Sequence, residues 1–200
     1  MLEKRAKTVQ PIDDVIAKRW SPRSFDPSKK VSRDQVLSLC EAGRWAPSCF
    51  GDEPWRFIVW DRHHDYDKWL KAFNCLGEWN RGWVKNTPIL LAAMAGSKFR
   101  KNGDFNRWGM YDTGAASENI CLQATSMGLM AHQMGGFDKD KLRLEFSIPD
   151  RFIPMAMIAV GYQAEPVLLD EEYRKSEIAE RFRRPLGHTF FDSEWNKPID

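Results

Sequence analysis

The sequence lacks several features that would assign it quickly. It contains no Cys-x-x-Cys pair, no Gly-x-Gly-x-x-Gly dinucleotide fingerprint, and no apolar run near the roughly 20 residues a membrane span requires. Its four cysteines, Cys40, Cys49, Cys75 and Cys121, are scattered, and none stands near a histidine at zinc-ligand spacing. His63 and His64 have only Asp61 and Asp65 close by, so no metal site is expected. The opening residues, Met1 to Gln10, are polar and charged, without the apolar core of a secretory signal. Free thiols in a cytoplasmic protein are therefore expected rather than a disulfide framework. A net charge of +2 is too small to mark a nucleic-acid binder. No internal repeat or low-complexity linker divides the chain, so residues 1–200 read as one domain.

What is present suits a packed protein. Hydrophobic residues make up 42% of the 200, enough for a sizeable core, and nine are tryptophan, many of them in the middle of the chain. Strand-like and helix-like patterns alternate. Pro11 to Lys18 predicts a short amphipathic helix. Ser32-Arg33-Asp34-Gln35 is a capping-box pattern, and the helix it starts should end before Pro47. Residues 46–54, with two prolines and a glycine, predict a loop feeding a strand from Trp55 to Trp60. A helix over 65–73, a buried strand over Pro88 to Ala95 and a mobile polar loop over Ser97 to Asn106 follow. Tyr111 to Met127 is the clearest helix, with Ala116, Ile120, Ala124 and Met127 at helical spacing and Gly128 suited to its C-cap. Asp112 and Glu118 read as caps or surface charges there. Leu129 to Met134 predicts a strand, Asp138 to Phe146 a helix, and Phe152 to Tyr162 another strand. The alternation indicates an α/β or α+β sandwich. Phe190, Phe191 and Trp195 make the stretch from 187 to 200 a tail expected to pack on other protein surface, a neighbouring subunit among the candidates.

Chemistry concentrates at Arg19-Trp20-Ser21-Pro22-Arg23. Arg19, Ser21 and Arg23 alternate, so an extended backbone would place two guanidinium forks and a hydroxyl on one face. Such a face suits a phosphorylated ligand, since arginine binds phosphate bidentately and keeps its charge at any working pH. Read alone, the motif more readily describes a solvated, arginine-rich loop, since charged residues are mostly exposed. Gly135-Gly136 alone reads first as an ordinary turn, and Arg181 to Arg184 alone reads equally as a basic surface run or a ligand site.

Taken in order, the motifs carry more. Arg19-x-Ser21-x-Arg23 is followed by Pro47-Ser48 ahead of Pro54-Trp55-Arg56-Phe57, by Asp112 with Glu118-Asn119, and by Gly135-Gly136-Phe137. Ile148-Pro149 then precedes Gly161-Tyr162, and Arg181-x-Arg183-x-Pro185-Leu186 closes the set. Over residues 11 to 186 this series resembles the FMN-dependent nitroreductase family. The resemblance implies an α+β fold with a central, mostly antiparallel sheet flanked by helices, and an intertwined homodimer with FMN at the subunit interface. It implies that Arg19, Trp20, Ser21 and Arg23 contact the flavin, with Arg181 and Arg183 returning to its phosphate. It implies further that Pro47, Ser48, Cys49 and Gly51 reach the flavin of the other subunit, and that Met134, Gly135 and Gly136 lie beside flavin N5. Gly51 and Glu53 stand where the family often has Asn and Gln.

The activity implied is hydride transfer from NADH or NADPH to the flavin, then to a flat, electron-poor acceptor such as a nitroaromatic or quinone, by a ping-pong cycle with no catalytic side chain. A ping-pong donor docks transiently, so a dinucleotide fingerprint is not required. Trp79, Trp83, Phe99 and Trp108 are candidates for a lid stacking on the acceptor, or else for core and dimer contacts. Two other readings remain: an FMN protein of the same fold with a dehalogenating or flavin-fragmenting role, and a single-stranded nucleic-acid binder using basic clusters and tryptophans. The near-neutral charge and the acidic stretch before Arg181 weigh against the last.

Overall fold

The computed structural model describes residues 2–199. Four strands, β1 (Trp55–Asp61), β2 (Ile89–Gly96), β3 (Met130–Met134) and β4 (Phe152–Gly161), form one sheet in the order β1-β2-β4-β3, antiparallel throughout. Every residue of β2 is buried, because strands flank it and both faces of the sheet are covered. Alternation sorts the side chains. Leu90, Ala92, Met94, Met157, Ala159 and Met134 face one core, while Ile89, Leu91, Ile158, Val160 and Ala131 face the other. Pro154 sits inside β4 without an N–H to donate, and the β2–β4 register shifts there, between Ala93 and Met94.

The first core is closed by α3 (Tyr66–Phe73), α4 (Glu78–Val84) and α6 (Lys139–Glu145), through Trp69, Trp83, Val84 and Leu142. The second is closed by α2 (Arg33–Arg44) and α5 (Gly109–Ser126), through Leu39, Ile120, Cys121 and Ala124. Helices therefore lie on both faces of the antiparallel sheet, as expected. The capping box at Ser32 and Gln35 is formed in both directions. The four cysteines are free thiols; burial pushes Cys75 up to about 11 and Cys121 up to about 12. Among the described residues no helix is long and apolar enough to cross a membrane.

Two local expectations need correction, and two stretches take a shape the sequence left open. The first helix, α1, spans Asp14–Lys18 and starts later than Pro11, because the Asp13 side chain accepts from the Val15 N–H and caps it there. Residues 97–106 are not an open loop but a hydrogen-bonded hairpin, with a bridge between Lys98 and Phe105 and the Asn106 N–H donating to the Ser97 carbonyl. The acidic stretch after Glu165 contains a helix that polarity hid, α7 (Glu171–Ile178), with Tyr173 and Glu177 buried. The tail folds on itself: Phe191 bridges to Pro198, and the Ile199 N–H donates to the Phe190 carbonyl. Phe190 and Trp195 remain exposed on it.

Candidate functional site

Residues from the two ends of the chain meet beside the start of β3. Arg19 follows α1 in an extended conformation, and its Nε lies 3.3 Å from a Glu118 carboxylate oxygen on α5. The next residues are pinned by Glu177, which is fully buried on α7 and accepts from the Arg23 N–H at 2.8 Å and the Ser24 N–H at 3.2 Å. Burial raises the Glu177 carboxyl above its ordinary range, and the two N–H groups partly offset this. Arg181 follows α7 and donates to the carbonyls of Lys4 and Ala17. Burial, together with the charges of Arg19 and Arg183, lowers its pKa.

His132 closes the inner side. Its ring lies 4.5 Å from the Trp83 ring, and Nδ1 lies 2.9 Å from the Pro22 carbonyl. A carbonyl only accepts, so Nδ1 carries the proton. Burial pushes the His132 pKa down to about 4; the Pro22 bond opposes this, and the nearby Arg23 and Arg19 charges add to it.

The cluster thus gathers Lys4, Arg19, Arg23 and Arg181, with Lys4 in electrostatic reach of Arg23 and Arg181, and Arg181 in reach of Arg19, against the carboxylates of Glu118 and Glu177. Arg183 reaches Arg181 electrostatically but is exposed, and its guanidinium donates to the Phe182 carbonyl. Two of the five buried polar side-chain atoms that find no hydrogen-bond partner among the described residues belong here, Arg23 Nε and Trp20 Nε1. Both are donors. Surplus positive charge with unused buried donors is the chemistry of an anion site. Ser21 is half-buried within the same segment.

The loop after α2 is built separately, at the start of α5. Residues Cys49–Gly51 form a single 3-10 turn. The Cys49 N–H donates to Asp112 at 3.0 Å, and the Glu53 N–H donates to the Ser48 hydroxyl at 3.0 Å. Asp112 is thus no surface charge: it is buried and tethers this loop. Phe50, Gly51 and Glu53 all have positive φ, at 55°, 63° and 49°. The first and last are strained, each by about 1 kcal/mol, and glycine suits the middle position. Asp52 is buried and accepts from the Arg100 N–H at 2.9 Å, joining the loop to the 97–106 hairpin. Phe50, Phe99 and Phe105 line a cavity of about 880 Å³ between the two segments. Pro47 is exposed, and Glu53 lies in solvent.

Met134 is buried at the end of β3, with Gly135 and Gly136 exposed beyond it. The Gly136 carbonyl accepts from the Gly77 N–H at 3.0 Å and from Asn80 Nδ2 at 2.9 Å, which fixes the turn. A Cβ on Gly136 would come within 2.9 Å of Asn80 Nδ2, whereas one on Gly135 would meet nothing.

The four candidate lid aromatics do not converge. Trp83 is buried between Phe25 and His132 and donates to Asn80, so it is a core residue and not part of a lid. Trp79, one helical turn earlier on the same side, stays half-exposed against Tyr173. Phe99 packs on Phe50, and Trp108 packs on Tyr111 at the start of α5. Sequence reasoning missed Lys4, His132 and Glu177. Glu177 had a readable signal, four residues after Tyr173 on one helical face; Lys4 and His132 had none.

This fold and these residues define a class. The Nitroreductase family model matches residues 16–77 and 71–162, and the chain belongs to that family. Among its relatives is a Methanothermobacter thermautotrophicus protein named "Putative NADH dehydrogenase/NAD(P)H nitroreductase", 30% identical over 156 residues that cover 76% of this chain and 77% of that one. A solved structure described as an oxidoreductase containing FMN superposes with a TM-score of 0.87 at 29% identity, covering 96% of each chain. A nitroreductase family protein from Clostridium novyi NT superposes with a TM-score of 0.66 at 26% identity, over 80% of this chain and 89% of its own.

Proposed function

We propose that this protein is a cytoplasmic, homodimeric FMN-dependent oxidoreductase that uses NADH or NADPH to reduce flat, electron-poor acceptors such as nitroaromatics and quinones. The observation that carries the proposal is the grouping of Arg19, Arg23 and Arg181, with exposed Arg183 beside Arg181, around the buried, unused Arg23 Nε. A phosphate dianion offsets their mutual repulsion and accepts from the idle donor. The FMN-containing structural neighbour supports the choice of flavin, and the NAD(P)H named for the relative supports the choice of donor.

FMN, when bound, supplies the two-electron chemistry. The chain's part is to hold and orient it. Arg19, Arg23, Arg181 and Arg183 take the phosphate end, and Trp20 and Ser21 line the path from it. Met134, Gly135 and Gly136 border the redox edge, where a glycine pair fixed through its carbonyl lets backbone approach closely. Pro47, Ser48, Cys49 and Gly51 form the loop offered to the flavin of the partner subunit, and the Asp112 tether keeps that loop in a strained shape suited to one fixed contact. Phe99, Trp79 and Trp108 remain available to acceptors. Exposed Ile12, Ile16, Leu37, Trp45 and Tyr111, on and beside α1, α2 and α5, supply apolar surface for the second subunit, and the 187–200 tail, with Phe190 and Trp195 uncovered, docks there too.

The test is spectroscopic. The purified protein should show a flavin absorbance that bleaches when NADH or NADPH is added under nitrogen and recovers on adding a quinone. Flavin absorbance that neither nicotinamide bleaches contradicts the NAD(P)H role, and a colourless protein contradicts the whole reading.

A further inference from the structure

The segment from Leu2 to Lys7 is laid against the cation cluster at several points. Gln163 Nε2 donates to the Leu2 carbonyl at 2.9 Å, and the Ala6 N–H donates to the Ala17 carbonyl at 2.8 Å. Lys4 Nζ donates to the Glu177 carbonyl at 2.8 Å and stands 4.6 Å from the centre of the Trp20 ring. The Lys4 carbonyl accepts from Arg181. One residue thus touches three parts of the site: the helix that pins Arg23, the ring beside Arg19, and the guanidinium of Arg181.

The local groups do not fully compensate a cation at this position, even with the Glu177 carbonyl and the Trp20 ring beside it. The Lys4 ammonium is half-buried, which disfavours its charge, and Arg181 and Arg23 disfavour it further; the buried Glu177 is the opposing influence. An ammonium has three donors, and the Glu177 carbonyl takes one. A methionine would fill the space over Trp20 without the repulsion. Two hydrogen bonds of its own and two more at Leu2 and Ala6 hold Lys4 in this place, and an anion sharing the pocket would offset the repulsion it meets there.

We propose that Lys4 is a fifth phosphate-binding cation of the flavin site and that its carbonyl sets the position of Arg181, so that the N-terminal segment forms one wall of the pocket. This rests on the FMN reading above. Lysine acts as a point charge, where the arginines act as forks. Lys4 should therefore act on the phosphate of FMN and be indifferent to the isoalloxazine ring.

The experiment titrates full-length protein, freed of flavin, with FMN and with riboflavin, following flavin fluorescence, for the wild type, Lys4→Gln and Lys4→Arg. Lys4→Gln should weaken FMN binding by about tenfold, leave riboflavin binding within twofold, and flatten the salt dependence of FMN binding. Lys4→Arg should restore most of the FMN affinity. If the wild type prefers FMN and Lys4→Gln keeps that preference undiminished, the inference about Lys4 is overturned while the FMN reading stands. If Lys4→Gln weakens both flavins equally and lowers the melting temperature, Lys4 is only structural and the inference is likewise overturned. If the wild type binds neither flavin, the FMN reading falls and this inference with it.

Discussion

His132 and Glu177 both lie within reach of Arg23 and respond to pH in opposite directions. Burial holds the His132 pKa at about 4, whereas the unfolded chain protonates that ring near 6.5. Between those values the unfolded state binds the extra proton, so stability present above pH 6.5 drains away as the pH falls towards 4. Glu177, raised by burial, protonates first in the folded state and adds stability as the pH falls through its own range. Comparing wild type with His132→Gln isolates the histidine. The wild type should lose up to about 3 kcal/mol more than the variant between pH 6.5 and 4, read as a steeper fall in melting temperature. Parallel curves for the two proteins would sink this assignment. Of the two, only Glu177 had a readable signal, and a faint one. A lone histidine in a strand carries no pattern, and Glu177 lies among exposed acids that disguise it.

At the scale of elements, α5 organises the site. Asp112 on its first turn holds the Cys49 loop, and Glu118, about 9 Å farther along at 1.5 Å per residue, holds Arg19. That positioning depends on where the helix starts. A Cβ on Gly109 would lie 2.2 Å from the Gly96 carbonyl oxygen, a backbone atom at the end of β2. Gly109→Ala must push α5 off the sheet, with a cost of about 3 kcal/mol and a melting temperature lower by roughly 6–12 °C. Gly114→Ala on the same helix, where a Cβ meets nothing, should lose no stability. Equal melting temperatures for the two variants would contradict this account of the contact. The helix itself was plain in the sequence, as were α2, with its capping box, and the four strands, because periodicity and capping are local signals. The start of α1 was misplaced because Asp13 outcompetes Pro11 as the starting signal. The 97–106 hairpin was hidden because buried Asp52, far away in sequence, supplies its anchor. α4 was glimpsed only through its two tryptophans, and α7 not at all, since polar composition masks a short inward face.

At the scale of the whole molecule, the decisive event is the meeting of the chain's two ends. Lys4 and Glu177 are 173 residues apart in sequence and hydrogen-bonded in space. Periodicity reports which face of an element is buried, not which distant segments will touch. For that reason the arginine pairs could be named from the sequence, but only the family resemblance implied that they meet. The intervening sheet turns that resemblance into a physical arrangement, because β3, at its edge, presents His132 to the segment that carries Arg23. The most direct measurement is the flavin-to-protein ratio of purified wild type and of the Arg23→Ala, Arg183→Ala double variant, with circular dichroism recorded on both. The account predicts that the double variant keeps the wild-type fold and loses most of its FMN. Full retention of FMN by a correctly folded double variant would contradict it.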